Sequence, residues 1–235
     1  MASLHIRRLN KYIGHNSQKI PQGLFMLRSI VVFIAFMLAF PVQAALDWET
    51  ALSGDHRSRE NAARDEFRHP RETLEFFGLR EGLTVVELSP GGGWYTEVLA
   101  PLIAGDGTYY AAHGSVNGSA YARRSLGGYL TKLGNNDATY SSVVITELSP
   151  PDALDIAPEN SADLVLAFRN VHSWMRGDAL SDVFAQVFMT LKPGGVFGVV
   201  QHRGRDGISV EEMKNTGYVT EEHVIAAAEA AGLVL

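Results

Sequence analysis

Short β-branched runs alternate with helix-like stretches from residue 84 onward, and this alternation confines the chain to an α/β architecture. Residues 84–88 (TVVEL), 108–112 (TYYAA), 142–146 (SVVIT), 163–168 (DLVLAF) and 196–201 (VFGVVQ) are strand candidates. Between them lie helix-like stretches at 94–103, 120–133 and 179–191, and an amphipathic helix at 221–231 follows the last strand. Such an order builds right-handed βαβ units, and so a mainly parallel sheet with helices on both faces. A final run at 233–235 opens another strand. Two or three residues pair little, so the sheet is expected to lack its last strands. No internal repeat or low-complexity segment interrupts the pattern.

The first 44 residues belong to a different class. Residues 29–40 (SIVVFIAFMLAF) are apolar, follow Arg28 and an acid-free start, and end at Val42-Gln43-Ala44, a small-residue cleavage signature. This is the pattern of a secretory signal cut after Ala44, which places the body of the protein outside the cytoplasm, in the periplasm of a bacterium. The apolar core is shorter than the roughly 20 residues of a spanning helix. The other reading is an uncleaved anchor, the one route by which the chain would meet a membrane. Met26 is a second candidate start, which makes residues 1–25 an upstream extension. The chain then divides into a signal at 1–44, a helical lead-in at 45–82 and an α/β domain at 83–235.

Residues 1–44 contain five of the 20 basic residues and none of the 26 acidic ones, so the remainder carries a formal charge of −11. An acidic body without Lys/Arg runs argues against nucleic acid as a partner and favours a small-molecule substrate. There is no cysteine, which removes thiolate nucleophiles and cysteine zinc sites. In the lead-in, Arg57, Arg59, Arg64, Arg68 and Arg71 alternate with Glu60, Asp65, Glu66, Glu72 and Glu75. Alternating signs describe a solvated helical face, or an arginine cluster closing over an anionic ligand. Pro70 suits the first turn of a helix over 71–77, with Gly78 as its stop.

Pro90-Gly91-Gly92-Gly93 follows the first strand, at the edge where open α/β sheets bind ligands. Gly91 and Gly93 let the backbone approach a ligand and adopt positive φ, and the amides of the next helix favour an anionic group. A dinucleotide loop needs a third glycine where Thr96 stands, and a phosphate loop needs a GxxxxGK sequence that is absent. The loop therefore favours a nucleoside joined to an amino acid.

VVELSPGGGW (85–94), LVLAFRNVHSW (164–174) and LKPGGVFGVV (191–200) resemble, in order and spacing, the first, fourth-strand and fifth-strand motifs of class I S-adenosylmethionine-dependent methyltransferases. With the export signal, RDEFRHPRETLEFFG (64–78) and PGGGWYTEVLAP (90–101) are similar to a family of exported predicted methyltransferases of unidentified substrate. The resemblance implies a Rossmann-like methyltransferase fold and S-adenosylmethionine as cofactor. It assigns Glu87 to the motif's acidic place, contacting the methionine amino group or bracing the loop. Gly91 and Gly93 match motif glycines, while Ser89 departs from the first. His113 ends the second strand where the family has an acid for the ribose, and no Asp or Glu lies between Asp106 and Asp137. His113, Ser115 or Asn117 is left to bind the ribose, and Glu147 matches the acidic position near the adenine.

Trp94 and Tyr95 offer an aromatic face to a sulfonium or pack against the sheet. His113, His172 and His202 each follow a strand and reach the same sheet edge. His172 is the candidate general base or substrate orienter, since neutral imidazole accepts a proton near neutral pH. Arg169 and Asn170, in the same loop, are candidates for fixing an anionic or polar substrate. No HxH or HExxH spacing marks a metal site, and none is expected. Two other functions fit these residues: a non-catalytic binding protein with a degenerate loop, and a metal-dependent hydrolase using the three histidines.

Overall fold

The computed structural model describes residues 2–9 and 45–235. A strand, β1 (Ala2–Arg8), comes first, and a helical lead-in follows: α1 (Trp48–Ser53), α2 (Arg59–Ala62), α3 (Asp65–Arg68) and α4 (Pro70–Phe76). The alternating region is β2 (Thr84–Leu88), α5 (Thr96–Ile103), β3 (Thr108–His113), α6 (Ala120–Gly134), α7 (Asp137–Tyr140), β4 (Val143–Glu147), β5 (Ala162–Phe168), α8 (Val171–Arg176), α9 (Leu180–Thr190) and β6 (Leu191–Arg203). The chain ends in α10 (Val210–Thr216), β7 (Tyr218–Val219), α11 (Glu221–Ala230) and β8 (Leu233–Val234).

The sheet order is β4-β3-β2-β5-β6-β1-β8, with β7 beside the end of β6. From β4 to β6 every pair is parallel. Successive crossovers run outward from β2 through β3 to β4, then return to β5 and run the other way to β6. The order thus reverses between β2 and β5, and their carboxyl ends open a crevice there.

Both faces of the central strands are covered, which is why they are mainly apolar rather than alternating. Val86, Leu88, Val165, Ala167, Phe197 and Val199 face one layer with Trp174, Phe184, Val187, Val224 and Ala228. Val85, Leu164, Leu166 and Val200 face the other, with Leu74, Phe77, Val98, Leu99 and Tyr129. Each fully buried Val, Leu or Phe in these layers contributes about 1.5–3 kcal/mol. The helices have definite starts. Ser119, Ser209 and Thr220 each accept a hydrogen bond from the amide three residues on, and Pro70 occupies the first turn of α4.

The amino terminus departs from its sequence-based placement. Residues 1–44 read as a leader set apart from the domain, yet β1 lies within the sheet, antiparallel to both β6 and β8. It therefore occupies a place in the sheet expected to be missing its last strands. The physical reason is a period of two in ASLHIRR. Ala2 and Ile6 are buried and Leu4 packs against the core, while Ser3 and Arg7 point to solvent. Of the basic residues in this segment, Arg7 is an outward position of the strand, and Arg8 donates to Asn160 and to the Leu191 carbonyl. The apolar run 29–40 and the cleavage signature lie outside the described residues. No helix among the described residues is long and apolar enough to cross a membrane.

A chain beginning at Ala45 loses β1 and leaves one side of β6 unpaired. In urea unfolding followed by circular dichroism, it should be less stable than the full chain by roughly 2–4 kcal/mol. Equal stability would show that β1 adds nothing to the folded domain.

Candidate active site

The crevice between the ends of β2 and β5 is built from two strained turns. After β2, Ser89 takes φ +49°, Gly91 +59° and Gly93 +76°. After β5, Arg169 takes φ +65°. Left-handed φ costs a side chain of ordinary chirality about 1–2 kcal/mol, so both turns are held by their surroundings. The Ser89 amide donates to the Ala112 carbonyl at 2.8 Å and the Arg169 amide to that of Val200 at 2.7 Å. The Asn170 side-chain amide bridges the turns by donating to the Leu88 carbonyl at 2.8 Å.

A Cβ placed on Gly91 or Gly92 would meet no atom within 4 Å, whereas one on Gly93 would press on Tyr129 at 3.0 Å. Gly93 is thus small for packing against α6. The Gly91-Gly92 backbone is bare toward the crevice.

Two cavities meet at this loop. One, of about 560 Å³, is bordered by Arg64, Arg68, Trp94, Phe168, Arg169 and His172. The other, of about 270 Å³, lies toward His113, Ala122, Ser125 and Leu148. Ser89, Gly91, Tyr121, Asn170 and Ser173 line both, so they form one groove.

Glu87 lies below the loop and is buried. It accepts hydrogen bonds from Tyr109 Oη and, at 3.0 Å, from Thr96 Oγ1, which also contacts Tyr129 Oη at 3.1 Å. Burial pushes its carboxyl up to about 7, against the opposing pull of these donors and of Lys132. Of the two roles implied for Glu87, its hydrogen bonds are those of a brace between β2, β3 and the start of α5.

His113 spends both ring nitrogens on backbone. Nδ1 accepts from the Gly114 amide at 2.8 Å, so the proton sits on Nε2, which donates to the Gly91 carbonyl at 3.2 Å. Burial lowers its pKa and keeps the ring neutral. The ribose contact expected of His113 is replaced by a tie between β3 and the glycine loop, because no ring nitrogen is left for a ligand. Ser115 Oγ accepts from the Asn117 amide at 3.0 Å. Glu147 pairs with His113 across β3 and β4 but borders neither cavity; its neighbour Leu148 does.

His172 lines the larger cavity. Gln201 Nε2 donates to the Gly217 carbonyl at 2.7 Å and approaches His172 Nδ1 at 3.2 Å. An amide nitrogen can only donate, so Nδ1 is the acceptor and the neutral ring carries its proton on Nε2. Burial first, then the Arg176 charge, lowers its pKa. His202 stacks on Tyr218 at 5.1 Å. Among the described residues no three His, Cys, Asp or Glu are grouped to hold a metal ion, so the histidine triad of a hydrolase is not assembled.

The lead-in docks on the loop through Trp94, whose Nε1 donates to the Asn61 carbonyl at 2.9 Å. The Arg68 guanidinium lies over the Trp94 ring at 4.5 Å, and Tyr95 stacks on Phe168 at 3.4 Å. Both aromatic residues are therefore packed. Buried Glu97 receives Asn61 Nδ2 at 2.8 Å, pairs with Lys132, and faces Arg57 Nε at 3.6 Å; Arg57 also grips Asp65. Sequence reasoning missed Glu97, Gln201 and Tyr121. Gln201 had a legible signal, a lone amide ending an apolar strand. Glu97 and Tyr121 looked like ordinary helix-surface residues.

No protein-family profile and no curated protein matches the chain by sequence. Among solved structures it is similar to a SAM-dependent methyltransferase from Aquifex aeolicus, with 22% identity and TM-score 0.54 over 72% of this chain and 82% of that one. It is also similar to the [4+2]-cyclase SpnF, with 18% identity and TM-score 0.56 over 81% of this chain and 63% of that one. A protein described as a possible exported protein from Bordetella parapertussis is similar at 15% identity and TM-score 0.50, over 86% and 71% of the two chains. These likenesses show the fold, which is the Rossmann-like fold of class I S-adenosylmethionine-dependent methyltransferases.

Ser89→Gly removes the left-handed penalty at the first turn. It should stabilise the protein by about 1 kcal/mol, read as a rise of roughly 2–4 °C in the thermal midpoint. With its carboxyl raised from 4.5 to about 7, Glu87 lets the folded chain hold more protons than the unfolded chain between those values. Stability should then fall as pH rises through that window. In thermal unfolding across it, Glu87→Gln should flatten the slope, and an unchanged slope would refute the assignment.

Proposed function

We propose that this chain is an exported S-adenosylmethionine-dependent methyltransferase acting on a small molecule. The observation that carries the reading is the bare Gly91-Gly92 backbone at the switch point, facing a groove with room on both sides of the loop. These residues fit the cofactor. Ser89, Gly91 and Gly92 would hold its amino-acid end. The nucleoside would lie toward Leu148 and the acceptor toward Arg169 and His172. Gly93 and Glu87 shape the loop from behind. When bound, S-adenosylmethionine would supply an electrophilic sulfonium methyl group for transfer to the acceptor.

The protein's part is positioning. Asn170 locks the two turns together, and Arg169 and His172 orient the acceptor. With its proton on Nε2, His172 serves better as a hydrogen-bond donor than as a base, which supports the orienting role of the two expected of it. Cleavage after Ala44 would remove β1, so the processed and full-length chains differ by one strand. The acidic body supports a small-molecule partner over nucleic acid.

One observation favours a second reading, a non-catalytic binding protein on the same fold. The ribose acid is absent and His113, which stands in its place, is consumed by backbone.

Calorimetric titration should give saturable heat with S-adenosylmethionine and with its demethylated product. No heat at millimolar ligand would sink the enzyme reading. Once an acceptor is found, His172→Ala should lower kcat about 10-fold or more while cofactor affinity stays within about twofold. Equal loss of both would mark His172 as structural.

A further inference from the structure

The larger cavity concentrates positive charge in an acidic protein. Arg64, at the start of α3, Arg68, at its end, and Arg169, after β5, come from two separate parts of the chain and border the same space. No ion pair or hydrogen bond from any of their side chains to a carboxylate occurs among the described residues, and buried Arg169 Nε has no partner at all. Several acids elsewhere are taken. Arg57 grips Asp65, the acid nearest this cluster in sequence, while Lys132 holds Glu97, Lys192 holds Asp163 and Lys214 holds Asp178.

The one acid bordering the cavity, Glu87, is buried and saturated by Tyr109 and Thr96. The remaining polar lining adds to the donor character, since His172 carries its proton on Nε2. The guanidiniums repel one another: burial first, then the Arg64 charge, pulls Arg68 below its ordinary range, with Arg169 adding to the effect. Arg68 is nevertheless held in place by the Trp94 face, and Arg169 by a left-handed turn. Three guanidiniums around one cavity, none paired with a carboxylate, are matched by a ligand that brings negative charge and acceptor oxygens.

We propose that the acceptor is an anionic small molecule, bearing a phosphate or carboxylate group that Arg64, Arg68 and Arg169 grip at the mouth of the larger cavity. Calling it the acceptor rests on the methyltransferase reading; the anion site rests on the cavity alone. Tyr121, 74% exposed and bordering both cavities, offers a face for the uncharged part of the molecule. The same guanidinium chemistry would suit the cofactor's own carboxylate, and the test separates the two.

Inorganic phosphate is titrated calorimetrically into the full chain, with chloride at matched ionic strength as control, in the absence and presence of saturating S-adenosylhomocysteine. The proposal expects phosphate to bind in both conditions. Arg64→Gln and Arg169→Gln should each weaken it about 10-fold while leaving S-adenosylhomocysteine affinity within about twofold. Arg64 is exposed, so its variant keeps the fold even if the Arg169 variant does not. Phosphate heat no larger than the chloride control overturns the site. Competition between phosphate and S-adenosylhomocysteine overturns the acceptor assignment, because the arginines would then serve the cofactor carboxylate. Phosphate binding without any S-adenosylhomocysteine binding upholds the anion site and removes the methyltransferase reading.

Discussion

Buried Glu97 is the fastening on which the groove depends. A carboxylate out of water is costly unless it is paired, and this one faces Arg57, Lys132 and Asn61 together. Arg57 belongs to the lead-in, Glu97 to α5 and Lys132 to α6. The cluster therefore joins three parts of the chain that the sheet alone would not hold together. Because Arg57 also takes Asp65, it fixes α3 and engages one of the two acids, Asp65 and Glu66, that lie between Arg64 and Arg68 in the sequence. A pairing that looks purely structural thus decides which charges remain available to a ligand.

The same division of labour applies around the loop. Glu87, His113 and Asn170 occupy or adjoin places where a family resemblance would put cofactor contacts, yet each spends hydrogen bonds within the protein, Glu87 on the Thr96 and Tyr109 hydroxyls and His113 and Asn170 on backbone. What they support is strained: Ser89 and Arg169 both sit in left-handed conformations at neighbouring strand ends. Strain at a turn survives only where its surroundings over-determine it. The result is a stiff cradle whose exposed surface is glycine backbone on one side and guanidinium on the other. Fold likeness extends to a methyltransferase and to a cyclase, so chemistry has to be argued from this surface rather than from the sheet.

Much of the architecture was legible in the residues. The runs TVVEL, TYYAA, SVVIT, DLVLAF and VFGVVQ all became strands, because apolar β-branched runs between turn residues have few other uses in a chain of this kind. The place of β1 was not legible. Its period of two spans only seven residues and is masked by basic residues ahead of an apolar run, and what makes it a strand is the unpaired side of β6, more than 180 residues away. In the site, the positions of Gly91, Arg169, Asn170 and His172 at the sheet edge followed from their places after strands. The commitment of both His113 nitrogens did not, since it depends on where the Gly91 carbonyl comes to rest.

Sequence by itself determined the parallel α/β core, the glycine turn after β2 and the chemical inventory of the sheet edge, because each depends on local pattern and on residue type. Tertiary structure alone decided which of those groups are free. Hydrogen bonds and ion pairs are settled by distance across the fold, so only the folded chain shows that Glu87 and His113 are occupied, that Asp65 is taken by Arg57, and that Arg64, Arg68 and Arg169 share a cavity with no carboxylate paired to them among the described residues.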